Sequence, residues 1–236
     1  TKKAIDYLTN NFDKAYSDYK AKVLKDFGTE KVAAGDAAKY TVPGFEDNIA
    51  NSTYFHEPTS LLAKYHLKQL LADPTTKDLP VIITAGGTGA GKTYGLTTLN
   101  SNLGKDYAAV IDTNLATISS VEKRIKQIKD SGRKIEINFV YRDPVDAFVN
   151  GVLPRAVEEK RAVTTSVHTD MHVDALRTLA RTMNKYKNDP DVEIRVIKND
   201  GVNKPVLIDA EAVYKLNQTR YNKNVLKGEL NEKLEQ

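Results

Sequence analysis

One short glycine-rich stretch constrains this chain more than any other part of the sequence. Residues 86–93 read Gly-Gly-Thr-Gly-Ala-Gly-Lys-Thr, which matches the phosphate-binding pattern G-x-x-x-x-G-K-[ST] at every fixed position. The apolar run at 81–83 before it predicts a strand buried on both faces, and the residues from Lys92 onward predict a helix. A strand, a tight glycine turn and a helix N-terminus in this order form a site for a nucleoside triphosphate.

The motif predicts which groups bind the ligand. The ammonium of Lys92 can reach the β- and γ-phosphates, and the hydroxyl of Thr93 can bind Mg²⁺. We therefore predict ATP and Mg²⁺ as cofactors. The residues expected to surround the phosphates are Gly86, Gly87, Thr88, Gly89, Ala90, Gly91, Lys92 and Thr93.

Strand and helix patterns alternate after the loop, with further strands expected at about 107–112, 134–141, 192–197 and 206–208. This alternation predicts an α/β fold of the P-loop NTPase or kinase-like type, a parallel sheet flanked by helices. Before the loop, residues 1–28 read as one amphipathic helix, 29–53 as a loop-rich region and about 59–72 as a second helix that starts near Pro58.

These patterns divide the chain into three parts. We expect a helical N-terminal extension at 1–78 that packs on the core, a P-loop kinase core at 79–210 and a helical tail at 211–236. Within the core, about 145–172 is expected to form a lid, followed by a helix at 173–186.

Candidate catalytic residues follow the predicted strands. Asp112 ends the second strand of the core, where a carboxylate can hold Mg²⁺ through water or accept the proton of an attacking hydroxyl. Arg155 and Arg161 lie in the expected lid and can neutralise charge on the transferring phosphoryl group. His56 and Glu57 precede the loop and can approach the nucleotide or the substrate.

Composition and charge exclude several classes of site. Cysteine is absent, so the chain has no disulfide, thiolate nucleophile or cysteine-based zinc site. His168 and His172 are four residues apart but lack the glutamate of a zincin motif, so we expect no metal there. The net charge of +4 is mild and its lysines are interspersed with acids, which makes a nucleic-acid partner unlikely. No apolar run long enough for a membrane span is present, and we expect a cytoplasmic protein or one delivered into a target cell's cytoplasm.

The ordered motifs resemble the zeta-toxin group of P-loop kinases over about 53–201. The resemblance is carried by the loop at 85–93, the strand at 110–113, the segment Tyr-Arg-Asp-Pro at 141–144 and the stretch from 153 to 170. It implies a toxin or effector that phosphorylates a hydroxyl of a small nucleotide-like substrate, UDP-N-acetylglucosamine or NAD. It also implies a possible antitoxin or chaperone partner.

The sequence departs from that family at one point. Zeta toxins have one strand with the catalytic aspartate and another with acidic substrate contacts, whereas a single strand ending at Asp112 lies between the loop helix and residue 134. Asp112 therefore matches either strand or both. Two other functions stay open: a regulatory ATPase or NTP-binding module without a small acceptor, and a polynucleotide kinase.

Overall fold

A computed structural model describes residues 2–45, 52–92, 106–158, 163–201, 205–219 and 222–235. In this part of the chain the strands are β1 (Val32–Ala34), β2 (Val81–Ala85), β3 (Ala109–Asp112), β4 (Ile135–Tyr141), β5 (Val192–Lys198) and β6 (Val206–Ile208). They form one sheet in the order β1-β3-β2-β4-β5-β6. Every pair is parallel except β5 with β6. The carboxyl ends of β1 to β5 therefore meet at one edge, where ligands bind in folds of this kind.

Helices cover both faces of the sheet. Their bounds are α1 (Lys2–Asn10), α2 (Phe12–Phe27), α3 (Gly35–Lys39), α4 (Ser52–Ala72), α5 (Ile118–Asp130), α6 (Pro144–Ala147), α7 (Leu153–Glu158), α8 (Thr165–Tyr186), α9 (Ala210–Thr219) and α10 (Lys223–Glu235). A 3₁₀ turn at Pro74–Thr76 follows α4, and a π-helical turn at Phe148–Val152 joins α6 to α7.

The strand sequences explain the two layers of helices. All five residues of β2 are buried, as the apolar run predicted. Ile83 packs in a cluster with residues of α5 and α8, whereas its neighbour Ile82 packs in a separate cluster with residues of α1 and α2. Alternating side chains of a strand point to opposite faces, so each face has its own core. The predicted P-loop kinase-like α/β fold is confirmed, with one antiparallel edge strand added.

The prediction of a loop-rich region at 29–53 is wrong at residues 32–39, where the structure has the strand β1 and the helix α3. β1 pairs with β3 in parallel, with Ala34 opposite Asp112. Because β1 has three residues, two of them alanine, its sequence lacks the β-branched pattern that predicts a strand. The N-terminal part of the chain thus contributes a strand to the central sheet as well as helices. The predicted boundary at residue 78, between an N-terminal extension and the core, stays a proposal, and β1 of the central sheet lies on the N-terminal side of it.

The N-terminal helices differ in extent from the predictions. The single helix expected at 1–28 is broken at Asn11, where the side-chain amides of Asn10 and Asn11 bond to backbone carbonyls one turn earlier, at 2.8 and 3.1 Å. Such bonds compete with the helix ladder. Gly28 ends α2 with a left-handed φ of 71°.

Two other helices begin earlier than predicted, because tertiary packing supports residues whose sequence alone does not. α4 starts at Ser52, so Pro58 lies inside it instead of near its start, and Phe55 of its first turns packs against Phe45 with ring centroids 5.3 Å apart. α8 starts at Thr165 and includes the buried His168 and His172, so the last part of the lid predicted at about 145–172 is helical. Among the described residues no helix is long and apolar enough to cross a membrane.

Candidate functional site

The phosphate-binding loop lies at the carboxyl edge of the sheet, directly after β2. Gly86, Gly89 and Gly91 have φ angles of 148°, 74° and 86°, a backbone conformation that side chains with a Cβ rarely adopt. At Gly87 the constraint is space instead, because an added Cβ would collide with the imidazole of His172. The predicted glycine turn is therefore present, and its glycines are required by both conformation and packing.

Three side chains from other elements bind the carbonyl groups of this loop. His172 Nε2 contacts Thr88 O at 2.8 Å, Arg142 Nη1 donates to Gly89 O at 3.2 Å, and Asn199 Nδ2 donates to Ala90 O at 2.9 Å. They come from α8, from the end of β4 and from the end of β5, respectively. Hydrogen bonds from three other elements therefore fix the backbone of the loop.

This arrangement determines which way the amide groups of the loop point. In a planar trans peptide the N–H points opposite to the carbonyl of the preceding residue. The N–H groups of Gly89 and Gly91 therefore point away from His172 and Asn199, the side chains that bind the preceding carbonyls. Outward carbonyls and inward amides are what an anion-binding loop needs.

His172 and His168 both use Nε2 to donate a hydrogen bond to a backbone carbonyl group, which for His172 belongs to the loop. A carbonyl oxygen only accepts hydrogen bonds, so the Nε2 of each ring carries the proton, bonding to Thr88 O and to Pro144 O, both at 2.8 Å. Burial lowers the pKa of His172 to about 3, with the neighbouring His168 adding to the effect. Burial also lowers the pKa of His168. Among the described residues no cluster of three potential metal ligands exists.

Lys92 lies at the end of the loop and points toward the carboxyl end of β3. Its ammonium donates to Gly86 O at 3.3 Å and to Asn114 Oδ1 at 3.2 Å. Asn114 is followed by Leu115, whose side chain is buried and whose φ of 54° is left-handed. That unusual backbone turns the chain from β3 into α5, and it presents Asn114 to the lysine.

Asp112 ends β3 and faces the same region as Lys92. Its Oδ1 atom is buried and has no hydrogen-bond partner among the described residues. Burial raises the pKa of Asp112, the positive charge of Lys92 opposes that shift, and the negative charge of Asp36 adds to it. A buried carboxylate oxygen without a partner is costly, so this group is available to a ligand.

Lys92 and Asp112 both line one cavity of about 330 Å³. The cavity lies between α4 and α5, above the carboxyl ends of β1 and β3. Its walls are formed by Ala33, Gly35, Asp36, His56, Glu57, Ser60, Ala63, Lys64, Lys92, Asp112, Thr113, Asn114, Ala116, Thr117, Ser120 and Arg124. Its volume is at the lower end of the range of small-molecule sites. His56 and Glu57 therefore line the same cavity as Lys92, and their approach to a nucleotide or substrate stays a prediction.

Three of the predicted catalytic and metal-binding residues are not found among the residues described at this cavity. Arg155 lies exposed on α7 and is not among the cavity-lining residues. Thr93 and Arg161 fall outside the described residues. The cavity also contains residues that the sequence did not single out, above all Asp36 and Arg124. Asp36 lies two residues after β1, a strand that the sequence did not reveal. Arg124 has the sequence pattern of any charged residue on an amphipathic helix.

The family model described as zeta toxin matches residues 96–210, just under half of the chain. Over these residues the chain is similar to zeta toxins. The match begins after the phosphate-binding loop, so the loop at 86–93 is an observation independent of it. Members of the zeta-toxin family are kinases, which agrees with the loop and with the fold. No curated protein matches the sequence.

Solved structures with a similar fold include two of the AvrRxo1-ORF1:-ORF2 complex. The one described as containing ATP has a TM-score of 0.51, and the native one has a TM-score of 0.50. In both, the identity is 16% and the likeness covers 76% of this chain and 78% of the other. A structure of the PezAT toxin–antitoxin system of Streptococcus pneumoniae has a TM-score of 0.46 at 15% identity, over 87% of this chain and 76% of the other. At these identities the likeness concerns the fold alone.

A second acid lies near Asp112, in the helix α3 that follows the neighbouring strand β1. β1 lies beside β3, and the residues after it, Gly35 and Asp36, line the cavity together with Asp112. The acid therefore comes from the N-terminal part of the chain, outside residues 96–210. Asp36 precedes the phosphate-binding loop in the chain, so it could not be found among the residues that follow the loop.

Proposed function

We propose that this chain is an ATP-dependent kinase that transfers the γ-phosphate to a hydroxyl of a small nucleotide-like acceptor, UDP-N-acetylglucosamine or NAD. One observation carries the proposal: Lys92 of the phosphate-binding loop and the carboxylate of Asp112, whose buried Oδ1 has no partner among the described residues, line the same cavity. A switch-type ATPase needs no such cavity beside its phosphate site. A kinase needs a place for the acceptor next to the transferring phosphate.

The loop fits the triphosphate of ATP. Its amides at Gly89 and Gly91 point away from the groups that bind the preceding carbonyls, and the ammonium of Lys92 is held by two neutral oxygens that a phosphate can replace. We assign Mg²⁺ to Thr93, by the motif, and to Asp112, because its Oδ1, which has no partner in the described part of the chain, suits a hard cation. When bound, ATP with Mg²⁺ supplies the phosphoryl group and part of the charge neutralisation.

Asp112 is the proposed residue that orients the acceptor hydroxyl. In its ionised form it can accept a hydrogen bond from the hydroxyl and then its proton, and Lys92 favours that form. Asp36, in the first turn of α3 after the neighbouring strand, opposes that form. We therefore expect the charges of Lys92 and Asp36 to act in opposite directions on the pKa of Asp112. Arg155 and Arg161 remain the proposed arginines that neutralise the transferring group, as Thr93 remains a proposed Mg²⁺ ligand.

The experiment is a transfer assay with γ-labelled ATP and a pool of nucleotide sugars and dinucleotides, followed by mass analysis of the products. We expect a phosphorylated acceptor with the native chain and none with Lys92→Ala. Asp112→Asn should lower the rate by about 100-fold or more, the usual contribution of an acid–base group, while ATP still binds. Lys68→Ala, on the exposed side of α4, is the matched control. ATP hydrolysis without any phosphorylated acceptor would favour the regulatory ATPase, and labelled oligonucleotide ends would favour a polynucleotide kinase.

We further propose that the kinase acts as a toxin or effector in a cytoplasm and is restrained by a partner protein. The zeta-toxin match supports this, and so does the fold shared with one component of the AvrRxo1-ORF1:-ORF2 complex. Expression of the native chain in bacteria should slow growth, and Lys92→Ala should relieve that effect. Normal growth at an expression level where kinase activity is verified would contradict the toxin assignment.

A further inference from the structure

Three buried polar side chains form a row across the centre of the sheet. Asp112 of β3 lies opposite Thr84 of β2, and Thr84 lies opposite Asn138 of β4. Residues paired in this way point to the same face of a sheet. Thr84 is 0% exposed and Asn138 is 1% exposed. The row lies just beneath the phosphate-binding loop, since Thr84 precedes Gly86 by two residues.

Each of these side chains has an oxygen without a hydrogen-bond partner. Thr84 Oγ1, Asn138 Oδ1 and Asp112 Oδ1 are all buried, and none of them is bonded to another described residue. The described part of the chain has six buried side-chain atoms of this kind, and half of them belong to this one row. Buried polar groups are normally paired, so their concentration at this place indicates a function.

The spacing of the row suits direct hydrogen bonds between its members. Neighbouring strands lie about 4.8 Å apart, and a threonine oxygen is one bond from Cβ whereas a carboxylate oxygen is two bonds from it. A staggered rotation about the Cα–Cβ bond of Thr84 therefore turns its hydroxyl toward Asp112 or toward Asn138. The strands keep this register to the end of β3, because Thr113 N donates to Thr84 O at 3.0 Å.

The chemistry of the three groups gives such a chain of hydrogen bonds a direction. A hydroxyl has one proton to donate, the amide nitrogen of asparagine donates as well, and an ionised carboxylate only accepts. The arrangement that satisfies most groups runs from Asn138 Nδ2 to Thr84 Oγ1, and from the Thr84 hydroxyl to Asp112 Oδ1. On its other side Asp112 lies opposite Ala34, which has no polar side-chain atom. Within the row, the donor for Asp112 is therefore Thr84.

We propose that Thr84 and Asn138 are positioning residues for Asp112 in the transfer reaction. In the nucleotide-bound protein, Asn138 donates to Thr84 and Thr84 donates to Asp112, and the carboxylate is thereby held toward the acceptor hydroxyl. This inference rests on the proposed kinase function. The carboxylate accepts about four contacts in all, so the bond from Thr84 leaves room for the acceptor hydroxyl and Mg²⁺.

The test combines transfer kinetics with urea unfolding on variants of the row. Thr84→Val removes the hydroxyl and keeps the shape of the side chain, and Thr84→Ser keeps the hydroxyl. Asn138→Leu removes the amide at a similar volume. The control is Ile82→Val, because Ile82 is buried on the same strand and the same face but has no polar group.

We expect Thr84→Val to lower kcat by about 10- to 100-fold, the range of a hydrogen bond to a charged group, with the KM values for ATP and acceptor unchanged. Its urea midpoint should equal or exceed that of the native chain, since a methyl group replaces a buried hydroxyl without a partner. Thr84→Ser should keep most of the rate, and Ile82→Val should lose stability but not rate. Asn138→Leu should lower kcat by itself but not when added to Thr84→Val, because the chain of bonds is then already cut.

Three kinetic results would overturn the inference. They are a native kcat for Thr84→Val, a loss of stability together with a rise in both KM values in that variant, and independent effects of Thr84→Val and Asn138→Leu on the rate. The last two would assign these residues to packing.

A crystal structure with a non-hydrolysable ATP analogue and Mg²⁺ separates this inference from the kinase proposal, because it needs no transfer activity. We expect Thr84 Oγ1 within about 3 Å of Asp112 Oδ1 in that complex. If these atoms stay apart while an acceptor is phosphorylated, the kinase stands and the positioning role is refuted. If the bond is present and no acceptor is phosphorylated, the hydrogen-bond chain stands and the kinase proposal fails.

Discussion

Replacing His172 with glutamine should remove a large part of the acid sensitivity of the fold. The imidazole is buried against Gly87 and donates a hydrogen bond to Thr88 O. The neutral ring can make this bond without placing a charge in the protein interior. Its pKa is about 3 in the folded state, against an ordinary value of 6.5 in the unfolded chain. The unfolded chain therefore binds a proton that the folded chain excludes, and stability falls as the pH drops below 6.5.

The magnitude follows from these two values. Between pH 7 and pH 5 the protonation of the unfolded imidazole reduces the free energy of unfolding by about 2 kcal/mol, and the loss continues until the pH approaches the folded value. Glutamine keeps an amide N–H near the position of Nε2 but does not titrate. His172→Gln should thus lose about 2 kcal/mol less than the native chain over the same pH interval.

The assay is urea unfolding at several pH values between 7 and 5, read by circular dichroism. Because carboxylates and His168 also titrate, the informative quantity is the difference between the pH dependences of variant and native chain. The control is His56→Gln, because His56 is exposed and lines the cavity. The pH dependence of its stability should follow that of the native chain. Parallel pH profiles for His172→Gln and the native chain would refute the account of a neutral buried donor beneath the loop.

Other predictions concern the loop, the site acids and the C-terminal helix. Gly87→Ala should abolish binding of ATP in a filter or calorimetric assay, since the added Cβ would collide with the His172 ring. Gly228 lies in an exposed turn of α10 with open space around it, so Gly228→Ala should raise the free energy of unfolding by about 0.5–1 kcal/mol. Asp36→Asn should move the acidic limb of the transfer rate to lower pH, because removing its charge lowers the pKa of Asp112; an unmoved limb would show that Asp36 does not act on it. Leu230→Ala should cost about 2–5 kcal/mol in urea unfolding, because this side chain is fully buried; a loss under 1 kcal/mol would mean that α10 is not part of the core.

The sequence revealed the loop because every determinant of it is local. The β-branched run of β2, the glycines and Lys92 lie within one stretch, and their spacing alone predicts a strand, a turn and a helix start. Asp112 was found for the same reason, since an acid at the end of a buried strand is visible without knowledge of the fold.

The rest of the site depends on contacts between distant segments. Asp36 reaches the cavity because β1 pairs with β3, and a three-residue strand has no sequence pattern of its own. Arg142, His172 and Asn199 bind the loop from elements that follow it by many residues, so no spacing rule connects them to it. Their roles follow from the order of strands in the sheet, which brings the ends of β4 and β5 beside the loop.

The central claim is that a phosphate-binding loop and an acceptor cavity share Lys92 and Asp112. The most direct measurement is a crystal structure with a non-hydrolysable ATP analogue, Mg²⁺ and a phosphorylatable acceptor. The account predicts the γ-phosphate beside Lys92 and the acceptor between α4 and α5, with its hydroxyl against Asp112. An acceptor bound elsewhere, or a nucleotide that leaves Lys92 bonded to Gly86 and Asn114 as it is here, would contradict it.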